Sequence, residues 1–229
     1  MSESGSIINN RYLFPGRVMN IEVLRATLKT LPVGRVITKR QLQAAGIELT
    51  EFQKLVDLDL FSTIESHCAW RYHTATLTFE DIFKSIEEDL GYVRIGGLGA
   101  MLFHSDQIFF LSEICWLYIK PGTDSSYEDW VKHFDFALRV DEIFDFNDQA
   151  GKHLDFQTTR DVVKGVRYSS PGRAFLEYLA NPEVDPNGQT FIPPKSYFEE
   201  NKDEIQALVP YCKNKVALQR LNDWYSVQI

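Results

Sequence analysis

Residues 31–72 constrain the fold more than any other stretch. Thr38 with Gln41, and Thr50 with Gln53, have the spacing of a capping box: the threonine hydroxyl takes an orphan backbone amide and the glutamine side chain reaches back to the cap. Gly46 lies between the two pairs, where a turn needs a residue tolerant of positive φ. Upstream, Asn20 is placed to cap a helix carrying Ile21, Leu24, Leu28 and Leu31 at helical spacing, ended by Pro32 and Gly34. Downstream, Phe61 to Tyr72 alternates loosely and reads as two short strands. Helix, strand, helix, helix, hairpin is the order of a winged helix-turn-helix, a layout that sets one helix into the DNA major groove.

Charge bears on the same segment. Residues 11–47 hold Arg11, Arg17, Arg25, Lys29, Arg35, Lys39 and Arg40 against Glu22 alone, a balance of +6 on a chain of net charge −8, so the remainder carries −14. A basic stretch on an acidic protein is the electrostatic footprint of a phosphate-binding face; a solvated helix surface has the same composition. On the DNA reading, phosphate contacts fall to Arg35, Lys39, Arg40 and the hairpin residue Arg71. Base contacts fall to Thr50, Gln53 and Lys54. Glu51, Asp57 and Asp59 in the same segment work against that reading.

A length of 229 residues suits one large domain or two small ones, and 44% apolar with 13% aromatic residues is ample for a packed core. No apolar run approaches the ~18 residues of a membrane span. Met1 to Asn10 lacks the apolar core of a secretory signal. Cys68, Cys115 and Cys212 are widely spaced with no CxxC, which fits a reducing cytosol and argues against a disulfide framework or a structural zinc site. A cytoplasmic protein with no metal and no cofactor is the expectation. The domains expected are a tail over 1–19, a DNA reader over 20–75 and a larger mixed domain over 76–229, α+β in class.

In that larger part, Phe79, Ile82, Phe83, Ile86 and Leu90 mark an amphipathic helix with its acids on the outer face, stopped by Gly91. Tyr92 to Ile95 reads as a strand, Gly97 to His104 as a small-residue helix, and Gln107 to Leu111 with Cys115 to Ile119 as a hairpin. Trp130 to Tyr168 is strand-like: Phe134, Phe136, Leu138 and Val140 alternate cleanly, and Leu154 and Phe156 do so briefly. Ser170-Pro171 starts a helix with Ser as cap and Pro at its first position, and Ser196 to Leu208 and Cys212 to Tyr225 are the last two helices.

Several arrangements suggest chemistry and fall short of it. Gly96-Gly97-Leu98-Gly99 before a helix could cradle phosphate, but it lacks the Lys and Ser/Thr of a Walker loop and is no GxGxxG; close packing explains it better. His67, Cys68 and His73 have no fourth ligand at zinc spacing. His104, Asp106 and Cys115 lack a nucleophile signature around them. Asp141, Glu142, Asp145 and Asp148 read as a solvated loop, and the phenylalanines at 134, 136, 144 and 146 as core. No catalytic residue is expected.

Four segments in order resemble the AbiEi antitoxins of type IV toxin–antitoxin systems. Leu31-Pro32-Val33-Gly34-Arg35-Val36-Ile37-Thr38, with Leu42 and Gly46-Ile47, is similar to the family's winged-helix opening. Val93 to Leu102 resembles its Gly-Gly-x-x-Ala-Leu helix start, carried by Gly96 and Gly97. Tyr168 to Glu177 is similar to its Ser-Ser-Pro-Glu-Arg-Ala motif, carried by Ser170, Pro171 and Arg173. Tyr211 to Val216 resembles its last-helix motif. Gly172 stands where the family has Glu, and Asp59 where it has a small residue before the wing. The resemblance implies a transcriptional autorepressor that binds inverted repeats in double-stranded DNA at its own promoter. It also implies counteraction of a nucleotidyltransferase-like toxin without a stable complex, through the larger domain. The alternative is a non-enzymatic interaction module that uses the winged helix as a docking scaffold.

Overall fold

Thr38 ends a two-residue strand, β1 (Ile37–Thr38), and caps helix α1 (Lys39–Ala44). Its hydroxyl accepts the Gln41 amide at 3.3 Å and Gln41 Oε1 accepts the Thr38 amide at 3.2 Å, the reciprocal pair that the spacing predicts. The chain turns at Gly46, φ +69, into α2 (Leu49–Val56). The structure is a computed structural model and describes residues 26, 28–65, 68–105, 115–123, 128–159, 161–183, 190 and 192–228. The expected Asn20 cap lies outside them, and so does the predicted strand over 107–111.

The second capping box does not form. Helix α2 is capped by Glu48 with no side-chain bond, Thr50 sits inside the first turn, and Gln53 donates to Asp57 at 3.2 Å. The early start lays Ile47 and Leu49 on the small core alongside Phe52 and Leu55, and that apolar burial outweighs one capping bond. Strands β2 (Phe61–Glu65) and β3 (Ala69–Tyr72) form the expected hairpin, and β3 also pairs with β1, giving an antiparallel order β1-β3-β2. Asp59, just ahead of the hairpin, takes φ +56. That is the left-handed region, where Asp is one of the better tolerated non-glycine residues. Leu31, Ile37, Leu42, Phe52, Leu55, Phe61 and Trp70 close a small core of their own. Phe52 is its hub, with ring centroids 4.7 Å from Phe61 and 5.2 Å from Trp70.

Thr78 opens α3 (Phe79–Leu90) with a capping box sequence reading had passed over: its hydroxyl accepts the Asp81 amide at 3.2 Å and donates to Asp81 Oδ2 at 2.8 Å. The Thr78 amide and hydroxyl hold the Asp81 carboxyl below its usual range. Thr78→Ala is expected to cost about 1 kcal/mol at pH 7, read as a lower urea midpoint. Because Asp81 has a depressed folded pKa, its contribution is present above the unfolded carboxylate pKa and fades as pH falls through the folded value. The gap between wild type and variant should therefore narrow in acid.

Ile82, Phe83, Ile86 and Leu90 are buried as the periodicity predicts, but Asp89 is buried with them rather than on the outer face. Thr38 donates its hydroxyl to Asp89 Oδ1 at 2.6 Å, and burial pushes the Asp89 carboxyl above its usual range. The Val36 amide donates to Ser85 Oγ at 3.0 Å. Contacts of this kind cross the boundary expected after residue 75. Val36 and Ala69 pack in the large core while their neighbours Ile37 and Trp70 pack in the small one.

The large core surrounds a five-stranded mixed sheet of β4 (Val93–Ile95), β5 (Cys115–Ile119), β6 (Phe136–Val140), β7 (Asp161–Val163) and β8 (Val166–Tyr168), in the order β6-β5-β4-β8-β7. The pairs β5/β6 and β4/β8 are parallel, and the others are antiparallel. Helix α4 (Gly97–His104) follows β4, and α5 (Glu128–Lys132) precedes β6. Next come α6 (Gln149–Gln157), α7 (Pro171–Ala180), α8 (Lys195–Leu208) and α9 (Lys215–Gln228). The strand-like reading of 130–168 is thus corrected at both α5 and α6. Asp148 caps α6 by accepting the Gly151 amide, so Leu154 and Phe156 lie on a helix. The last helix starts later than expected because Cys212 bridges to Phe144 and Asn214 Oδ1 takes the Ala217 amide at 2.9 Å. Helix α7 is buried on almost every side, with α4, α8 and α9 packed around it. No helix among the described residues is long and apolar enough to cross a membrane.

Candidate functional site

Two groups of residues expected to carry function lie in different places. The first is at the front. On α2, Phe52 and Leu55 face the small core, which puts Thr50, Gln53, Lys54 and Asp57 on the outer side at i, i+3, i+4 and i+7. Thr50, Gln53 and Asp57 are exposed, and half-buried Lys54 pairs with Glu51. Lys39 is exposed at the start of α1, and its amide donates to Cys68 O at 2.9 Å beside the hairpin. Arg71 turns its guanidinium to Ala75 O at 3.1 Å.

The other two cations assigned to phosphate are used inside the molecule. Arg35 reaches Asp81 at 3.1 Å and Glu88 at 3.6 Å, and Arg40 donates to the Asp89 carbonyl. Their placement has a physical reason: residues 35–41 run along the acidic side of α3, where Asp81, Glu88 and Asp89 attract them. The basic block read from sequence thus divides. Part of it holds the front unit to α3; among the described residues of that block, exposed Lys29 and Lys39 form no ion pair, and exposed Arg40 is held through a carbonyl oxygen. Arg11, Arg17 and Arg25 lie outside the described residues.

The second group meets at the centre of the large domain. Arg173 on α7 donates from Nε to Glu177 at 3.0 Å, from Nη1 to Asp155 at 2.6 Å and from Nη2 to Asp141 at 2.7 Å. Arg94 on β4 donates from Nη2 to Glu177 at 2.6 Å and to Asp141 at 2.9 Å, with its guanidinium 4.8 Å from the Tyr118 ring centroid. Arg94, Arg173 and Glu177 are all at most 1% exposed. Burial alone would lower the Arg173 pKa; Asp141, Glu177 and Asp155 outweigh it and hold that pKa above its ordinary value. Asp141, expected in a solvated loop, is instead shared between two buried arginines.

This network settles what the glycine segment does. Glu177 Oε2 accepts the Gly97 amide at 3.1 Å and the Ser169 hydroxyl at 2.9 Å. The N-terminus of α4, where a phosphate could have sat, already holds a carboxylate of the protein. Gly96 is glycine because a Cβ there would run into Glu177 and come within 2.5 Å of the Tyr118 ring. Ser170 and Pro171 do start α7, but Ser170 makes no capping bond to it; its hydroxyl donates to Glu204 on α8, which also accepts the Gly172 amide at 3.0 Å. A Cβ at 172 would lie 2.9 Å from that side chain, so the position where the resembled family has Glu is here packed beneath one.

The arrangement ties β4, the end of β6, α4, α6 and α7 together, and among its described residues each carboxylate is paired with an arginine rather than free to act as a base. Cys115 is no alternative, since burial pushes its thiol up to about 12, and His104 bonds to Ser169 O at 2.8 Å. Sequence reasoning found Arg173 only through the resemblance and missed Arg94, Asp141, Asp155 and Glu177. The signals were present: an arginine inside the apolar run Val93–Ile95, and an i, i+4 Arg/Glu pair on an otherwise apolar helix.

No family model matches the chain, and no curated protein does. Among solved structures, the crystal structure of the RV2827C protein from Mycobacterium tuberculosis is similar over 87% of this chain and 70% of its own, with 13% identical residues and a TM-score of 0.43. A likeness at that level carries no argument about fold or function.

Proposed function

We propose that this protein is a DNA-binding antitoxin of the type IV kind, with residues 20–75 acting as a winged helix-turn-helix that represses its own operon and residues 76–229 acting against a nucleotidyltransferase-like toxin. The observation that carries the DNA part is the outer face of α2. A short helix follows a glycine turn, rests on its own core through Phe52 and Leu55, and turns Thr50 and Gln53 outward at a spacing that suits base edges. β2 and β3 are the wing. Lys39 and Lys29 are the phosphate contacts; Arg35 and Arg40 hold the reader against α3 and serve binding only through position. The antitoxin part rests on the four motifs and their order.

Fluorescence anisotropy with the DNA upstream of the gene tests this. Lys39→Ala should weaken binding to every duplex and reduce the salt slope by about one. Gln53→Ala should cost about 1–3 kcal/mol on the preferred site and blur one base step. Promoter binding unchanged in both variants would refute the choice of face. One observation favours a second reading: Glu48, Glu51 and Asp57 outnumber Lys54 along α2, as suits docking of a basic protein partner. No promoter binding at low salt, together with a basic partner retained on the wild type and lost on Glu51→Lys, would decide for it.

A further inference from the structure

At the C-terminal ends of the parallel strands β5 and β6 lies a cavity of about 450 Å³. Its volume falls within the roughly 300–1,000 Å³ of small-molecule sites, and its position is the end of parallel strands where such sites gather in open α/β sheets. Three segments distant in sequence each bring a lysine to it: Lys120 after β5, Lys152 on α6 and Lys213 ahead of α9. The backbone fixes them, with the Lys152 amide bonded to Asp148 O at 3.0 Å and the Lys213 amide to Ile143 O at 2.9 Å. All three are exposed, and none forms an ion pair among the described residues; the Lys120 ammonium lies 5.1 Å from the centre of the Tyr92 ring.

The acids of the cavity do not cancel these charges. Asp141 and Asp155 are already engaged by Arg94 and Arg173, and Asp145, which accepts the Asn147 side-chain amide, offsets one of the three lysines and leaves the other two in excess. The walls are aromatic. Phe144 and Phe146 stack on each other with centroids 5.4 Å apart and have the Arg173 guanidinium 5.2 and 5.5 Å from their ring centres, so they form the floor, and Phe156, 75% exposed, is the ring that the cavity presents to solvent. Thr159 also lines the cavity, its hydroxyl donating to Asp155 O at 2.8 Å.

We propose that this cavity binds a free nucleotide, its base stacked on the exposed Phe156 ring and its phosphates held by Lys120, Lys152 and Lys213. Rings are needed for the base because stacking is indifferent to which base it is. Separate lysines suit a flexible phosphate chain because each acts as a compact point charge. The volume holds one nucleotide and not a strand. The site is independent of the α2 face and of any DNA.

Isothermal titration calorimetry of the full chain with ATP, GTP and tripolyphosphate tests it. ATP, GTP or both should bind one per chain, with tripolyphosphate at least roughly tenfold weaker for want of a base. Lys152→Ala/Lys213→Ala removes two exposed side chains that form no hydrogen bond or ion pair among the described residues, so it should fold and lose about tenfold or more in affinity. Phe156→Ala should lose roughly five- to a hundredfold while leaving tripolyphosphate binding in place. No heat with either nucleotide, equal affinity for tripolyphosphate, or unchanged affinity in both variants would each overturn the proposal.

Discussion

Arg173→Ala should lower the free energy of unfolding by about 3–5 kcal/mol, the cost of removing one partner from a buried ion network. Three carboxylates from three segments converge on this one guanidinium, at 2.6, 2.7 and 3.0 Å. Without it Asp141 and Glu177 share Arg94 alone, and Asp155 has lost its cation. Arg173→Lys should not rescue, because the three donors of an ammonium sit on one nitrogen and cannot reach three carboxylates spread around a planar guanidinium. The measurement is a urea titration, where the midpoint should fall with the slope unchanged. In thermal melts the same loss is roughly 6–20 °C for a chain of this length. A loss below about 1 kcal/mol would mean the four charges are solvated in solution and do not organise the domain.

The second large effect is expected from Phe52→Ala. Phe52 is fully buried in a core of only seven buried residues and touches both Phe61 and Trp70. Truncating a buried phenylalanine costs about 3–5 kcal/mol, and a core this small has little left to collapse into the hole. Hydrogen exchange should quicken first over residues 37–72 and least in α7, with promoter binding lost in the same variant. Equal quickening in α7 would show that the two cores melt as one.

Sequence periodicity made much of this fold legible. Helices α1, α3 and α7 and the hairpin β2–β3 fall where patterning put them, since each buries an apolar face and carries a local stop or start signal. The failures have physical causes. Thr50 looked like a cap, but the burial of Leu49 moved the helix start. Leu154 and Phe156 looked like a strand, because two residues cannot distinguish a period of 2 from the i, i+2 step of a helix begun by Asp148. The Glu177 network was invisible for a different reason. Its members are separated by as many as 83 positions, and charge in a sequence is read as surface until the partners are known. The same blindness hid the destination of Arg35, which pairs with Asp81 and Glu88 of α3. The lysine-lined cavity gathers Lys120, Lys152 and Lys213 by topology alone, with no motif to announce it.

The seam between the two cores runs down the middle of a strand pair. Val36 and Ala69 point one way, Ile37 and Trp70 the other, and Ser85 and Asp89 on α3 close over the joint. A front half borrowed from another protein would arrive without the matching α3, and the recipient would gain a loose head with a bared flank. A graft at residue 75 should therefore keep its stability only when α3 travels with the head.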